Sequence, residues 1–233
     1  MENNTSSESS RVYALFYSFF LIPLMIVVFG ILFYLLFSVI TEEPTDINQL
    51  LIKLETGSIR DKANASYRIN KIFYDDPTQY DSLYRNRIIK IHKMSKSKYL
   101  SDNSLRLHTI MIMGNSQDTI FGSFLMEELK SENEEFRIKA IDALGRLKYT
   151  SSSILVKNFL KKDNTFLEKL AAAGALGNIG DNAVIQDLKS LIESWPVNWV
   201  ESDGLELQWE ATMALLKLGY SDSTTRLIIN NLL

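Results

Sequence analysis

The sequence predicts an all-α protein: a single N-terminal transmembrane helix followed by a short right-handed α-solenoid of helix pairs. Three observations carry that prediction. Val12 to Ile40 runs for 29 residues without a charge. Beyond Pro44, apolar residues recur at spacings of three and four with no sustained strand-like alternation. Within that second part, one helical segment returns at a nearly constant interval.

The chain divides accordingly into a polar tail at 1–11, an apolar helix at 12–40 and a repeat domain at 41–233. The hydrocarbon core of a bilayer, ~30 Å thick, needs about 20 apolar residues in helical form. The run from Val12 could extend roughly 43 Å, so it is expected to tilt or to seat its ends in the interfaces. Tyr13, Tyr17 and Tyr34 suit such an aromatic belt. A cleaved signal peptide has a core of about 7 to 15 residues and a small-residue cleavage site. Here the exit reads Thr41, Glu42, Glu43, Pro44, so an uncleaved single-pass anchor is expected. Charge bias is faint. Arg11 with Glu42 and Glu43 argues for a cytoplasmic N-terminus, while Lys53, Arg60 and Lys62 argue for a cytoplasmic C-terminal domain, and the latter is the reading adopted.

In the second part, capping residues open the helices: Asp46 before INQLLIKLE, Ser58 before IRDKANASYRINKIF, Thr78 before QYDSLYRNRIIKIHKM, and Asp102 or Ser104 before LRLHTIMIM. Gly57 and Gly114 are read as helix ends. The repeat is visible in the anchors Gly114, Gly145 and Gly177, which stand 31 and 32 residues apart, with Leu216 in the same slot 39 residues further on. Five residues before each anchor stand Thr109, Ala140, Ala172 and Ala211, and two before it Ile112, Ala143, Ala175 and Ala214. Small residues on one helical face let neighbouring helices approach closely, and each pair buries its apolar face only against the next. A second amphipathic segment follows each repeat helix: TIFGSFLMEELK, SSILVKNFLKK, NAVIQDLKSLIES and STTRLIINNLL.

Over about 102–220 these residues resemble the HEAT-like repeat family, especially its short bacterial form with the motifs seen here as Ala143-Leu144-Gly145 and Ile179-Gly180-Asp181. The layout is similar to bacterial membrane-anchored repeat proteins. That resemblance implies a bacterial inner-membrane protein whose solenoid serves protein association, and it implies no chemistry.

The residues agree. Without cysteine there is no disulfide, thiolate or zinc-ribbon chemistry. His92 and His108 lack a histidine partner at i+4, no metal-ligand spacing occurs, and neither a phosphate loop nor a dinucleotide fingerprint is present. A formal net charge of -3 offers no general field for nucleic acid. No catalytic residue, metal or cofactor is expected, and the expected partner is a protein.

Three groups of residues stand out as contact candidates. Arg85, Arg87, Lys90, Lys93, Lys96 and Lys98 lie within fourteen residues with no acid among them, a pattern that reads first as a solvated helix face, next as contact with anionic lipid or an acidic partner, and last as contact with nucleic acid. Trp195 and Trp199 flank Pro196 in an insertion at 193–204, where they either anchor a partner or fold back to seal the last helix pair. Lys157, Asn158, Gln186, Asp187 and Lys189 lie on second helices of pairs, the usual concave lining of such a stack. The reading is a membrane-tethered scaffold. The alternative is a membrane-bound accessory protein holding a small ligand or lipid, lyase-like or lipid-sensing.

Overall fold

A computed structural model describes residues 13, 16–41, 46–76, 80–97, 102–194, 202–223 and 225–226. Eleven α-helices and no strand occur among them. The chain forms two compact units, Met1–Asp46 and Ile47–Leu233.

The first unit contains α1 (Ile22–Thr41), entered through a π-helical turn, Tyr17–Leu21. That turn is closed by the Ile22 N–H donating to the Tyr17 carbonyl. Pro23 has no N–H to give to the carbonyl four residues back, and a widened turn just ahead of it absorbs the missing bond. From Tyr17 to Phe37 the helix is long and apolar enough to cross a membrane, and no part of that stretch is buried within the protein.

The second unit begins with α2 (Ile47–Thr56) and α3 (Ile59–Asp75). Ser58 caps α3 in a reciprocal box, its hydroxyl accepting from the Asp61 N–H while the Asp61 carboxylate accepts from the Ser58 N–H. Ser58→Ala should therefore cost about 1 kcal/mol, read as a lowered urea midpoint. Helix α4 (Ser82–Ser95) starts at Asp81, whose side chain accepts from the Tyr84 N–H. The expected cap Thr78 lies outside the described residues. Next come α5 (Asn103–Asn115), capped by Asp102; α6 (Gly122–Glu128); α7 (Glu134–Arg146); α8 (Ser153–Lys157); α9 (Phe166–Ile179); α10 (Ile185–Glu193); and α11 (Ser202–Lys217).

Helices α3, α5, α7, α9 and α11 form one row, each packed on the next, while α4, α6, α8 and α10 pack against α5, α7, α9 and α11 as a second row. The recurring small residues explain the first row. Thr109, Ala140, Ala172 and Ala211 are all completely buried. A Cβ on Gly114 would come within 2.6 Å of Ala143 Cα, one on Gly145 within 2.7 Å of Ala175 Cα, and one on Gly177 within 2.6 Å of Ala214 Cα. Each glycine thus receives the alanine that stands two residues before the next anchor, and backbones meet where side chains would hold them apart. Gly114 is consequently a packing residue inside α5 that also stands one residue before its end, as expected of a helix boundary. Left-handed glycines stand at Gly180 (φ 82°), which ends α9 with its N–H donating to the Leu176 carbonyl, and at Gly219 (φ 77°), just past α11.

Candidate protein-interaction surface

The row of repeat helices spends only part of its circumference on the core. On α7, Phe136, Ala140, Ile141, Ala143 and Leu144 are buried. The residues between them, Glu135, Ile138, Lys139, Asp142 and Arg146, line a groove of about 720 Å³. Across from them α9 contributes Leu167, Leu170, Ala171, Gly174 and Asn178, and α11 contributes Glu210. Both helices present these residues at spacings of three and four, so the groove runs along two neighbouring helix faces. Its apolar part is Ile138, Leu167, Leu170 and Ala171, with Leu167 55% exposed.

The two ends of the groove are pinned by contacts between successive repeat helices. At one end the Thr165 hydroxyl donates to Glu134 Oε1 at 2.5 Å, and Arg137 Nε donates to the buried Glu168 at 2.6 Å. Burial works against ionisation of Glu168, but the Thr165 N–H and Arg137 outweigh it and hold the carboxyl below its usual range. At the other end Arg146 donates to Asn115 at 3.1 Å and Lys217 to Asn178 at 3.0 Å. These four residues occupy the position directly after each anchor, which alternates amide and cation along the stack. Between the ends Asp142 is half-buried, and burial pushes its carboxyl up against the opposing pull of Lys139 and Arg146.

A different cluster lies where α4, α5 and α6 meet. Glu128 is fully buried and gathers Arg106 (2.8 Å from its Nε), Lys96 (2.9 Å) and His92 Nε2 (3.1 Å). The other ring nitrogen of His92 lies 2.8 Å from the Thr109 hydroxyl, and Arg106 stacks 4.1 Å above the Phe136 ring. Burial would raise the Glu128 carboxyl, but the hydrogen bonds from His92, Lys96 and Arg106 bring it down to about 2. Every charge here is engaged by another residue of the fold, so the cluster clamps three helices together.

That clamp also changes the reading of the basic stretch. Lys96 belongs to it and also reaches Glu127 at 3.0 Å. Arg85 is bound by Asp118, which also accepts from the Tyr80 hydroxyl at 2.8 Å. Arg87 stands 3.8 Å from Glu55, and Lys93 lies 5.5 Å over the Phe124 ring. Lys90 is exposed and makes no ion pair among the described residues. Lys98 lies outside them. Three of the six charges are thus paired with acids of the same fold, although no acid lies among them in the sequence.

The residues expected on the second helices lie on α8, α10 and the turn after α8, and none of them lines the groove. Lys157 pairs with Asp187 at 3.3 Å. Lys189 donates to the Tyr220 hydroxyl at 2.8 Å, which raises its pKa. The Asn158 carbonyl accepts from Asn164 at 2.9 Å, and Gln186 is exposed. Trp195 and Trp199 lie outside the described residues. Sequence reasoning passed over Ile138, Asp142, Leu167 and Leu170, though a signal existed: these apolar and acidic positions on the repeat helices are out of phase with the buried glycine and alanine pattern.

Residues 122–206, from the start of α6 into α11, match the family of HEAT repeats. This part of the chain is HEAT-like in pattern and in fold. HEAT repeats generally act as protein-interaction scaffolds, and typically without enzymatic activity. No curated protein matches the chain.

Proposed function

We propose, from the premise that residues 122–206 are HEAT repeats, that this protein is a membrane-tethered scaffold that docks a protein partner on its repeat domain. The observation that carries this reading is the groove along α7, α9 and α11. It combines apolar side chains, the exposed Leu167 and the partly buried Ile138 and Leu170, with charged residues on rigid helices held at both ends by cross-helix bonds. The N-terminal helix supplies the tether. Its charge-free length matches a bilayer, and confining the domain to a membrane raises the local concentration of whatever it holds there.

A photo-crosslinking amino acid at Leu167, inside the groove, tests this in native membranes. Ile154, 73% exposed on α8, is the control position. A discrete crosslinked species from position 167 that is absent from position 154 is the expected result. Equal or absent crosslinking at both positions would overturn the assignment of the groove.

Lipid contact through Arg85, Arg87, Lys90, Lys93, Lys96 and Lys98 is the weaker reading, because Arg85, Arg87 and Lys96 face acids of the same fold. With only Lys90 and Lys93 exposed and outside an ion pair among the described residues, the attraction of a leaflet, about 1 kcal/mol per available charge, has few charges to act on. Lys90→Glu together with Lys93→Glu should leave flotation with anionic vesicles unchanged.

A further inference from the structure

The charges around the groove are unequal in what they are already bound to. Arg146 is engaged by Asn115 and Glu134 by Thr165. Glu135, Asp142 and Glu210 make no ion pair among the described residues. Two of these carboxylates bracket α9. Asp142 lies on α7, one turn beyond Ile138, and Glu210 reaches from α11 over Gly174, where an added Cβ would stand 2.5 Å from Glu210 Oε1. An ionised, half-buried carboxylate that forms no ion pair is costly to the fold that carries it, and at Asp142 the pull of Lys139 and Arg146 offsets only part of that cost. The same carboxylate becomes favourable once a cation is delivered to it in a site from which water is excluded.

The geometry points to the class of occupant: a cationic amphipathic helical segment of the partner, its apolar ridge on Ile138, Leu167 and Leu170, with lysine or arginine side chains directed at Asp142 and at Glu210. This rests on the docking role proposed above. The lining residues follow helical spacing on both walls, which suits a helix laid in a groove, and the four lining acids, Glu134, Glu135, Asp142 and Glu210, outnumber Lys139 and Arg146 and select its charge.

The test uses the full-length protein in a zwitterionic detergent and two fluorescein-labelled peptides of about 14 residues, roughly four helical turns. One carries leucine and lysine at amphipathic spacing; the other has glutamate in place of every lysine. Fluorescence anisotropy should show binding of the basic peptide and none of the acidic one. Asp142→Asn should weaken the basic peptide about tenfold, as expected for loss of one desolvated charge pair. Asp142→Lys should abolish that binding and admit the acidic peptide. Peptide taken up by detergent contributes equally for all variants and cancels in the comparison. Asp142→Asn should melt no lower than the parent, so weaker binding is not unfolding, and Glu210→Gln offers an independent second reading. Equal affinity for the two peptides, or affinity unmoved by both neutral substitutions, would overturn the proposal. A Leu167 crosslink that persists in that case would leave the docking role standing, whereas loss of the crosslink removes the role itself.

Discussion

Gly145→Ala should destabilise the repeat domain by about 1–3 kcal/mol, and Gly145→Leu by more, because the new side chain must be accommodated against the backbone of α9. At an ordinary helical position, glycine to alanine gains about 1 kcal/mol through helix propensity. The sign is therefore the informative quantity. A Cβ at 145 would stand 2.7 Å from Ala175 Cα and 2.9 Å from its Cβ, and backbone atoms can yield only if α7 and α9 move apart. Gly174→Ala is the internal control, since its obstacle is the flexible end of Glu210. It should be neutral or stabilising by up to about 1 kcal/mol. Urea unfolding followed by far-ultraviolet circular dichroism separates the two. A stabilised Gly145→Ala would mean that the repeat helices do not meet at their glycines.

Glu128→Gln should cost about 3 kcal/mol or more, because it leaves Arg106, Lys96 and His92 around a neutral amide with no carboxylate to balance them. The intact carboxylate also gives the protein a defined acid response. Its folded value of about 2 lies below the ordinary glutamate value of about 4.3, so the native state binds fewer protons than the unfolded chain between those two points. The stabilisation is complete above the unfolded value and is lost as pH falls from there toward about 2, on the order of 3 kcal/mol in all. Glu128→Gln should flatten stability over that window. Asp142 acts in the opposite direction, since its raised carboxyl makes the fold gain stability as pH falls through its own titration. An unchanged acid limb in the Glu128→Gln protein would show that the clamp is not formed.

The parts of this fold that were legible in the sequence are those set by local or periodic rules. The apolar run announced α1, Ser58 announced α3, and the anchors at 114, 145 and 177 with their alanines announced a row of closely packed helices. Gly114 satisfies both of its readings, packing on Ala143 while standing one residue before the end of α5. Charge was the least legible property. Arg85 to Lys96 looked like an unopposed basic face because their acids, Glu55, Asp118, Glu127 and Glu128, are supplied by α2, α6 and the turn after α5. The groove was hidden for the same reason. Ile138 and Leu170 read as ordinary members of apolar helices until the packing of α7 against α9 shows which face is left over.

Co-purification provides the most direct test of the docking role. A C-terminally tagged full-length protein is extracted from its native membrane in mild detergent, alongside Ala171→Trp, which puts a bulky side chain into the groove from its α9 wall. The scaffold account predicts a stoichiometric companion with the parent protein that is missing from Ala171→Trp while both melt at the same temperature. A companion retained in full by the blocked variant would contradict it.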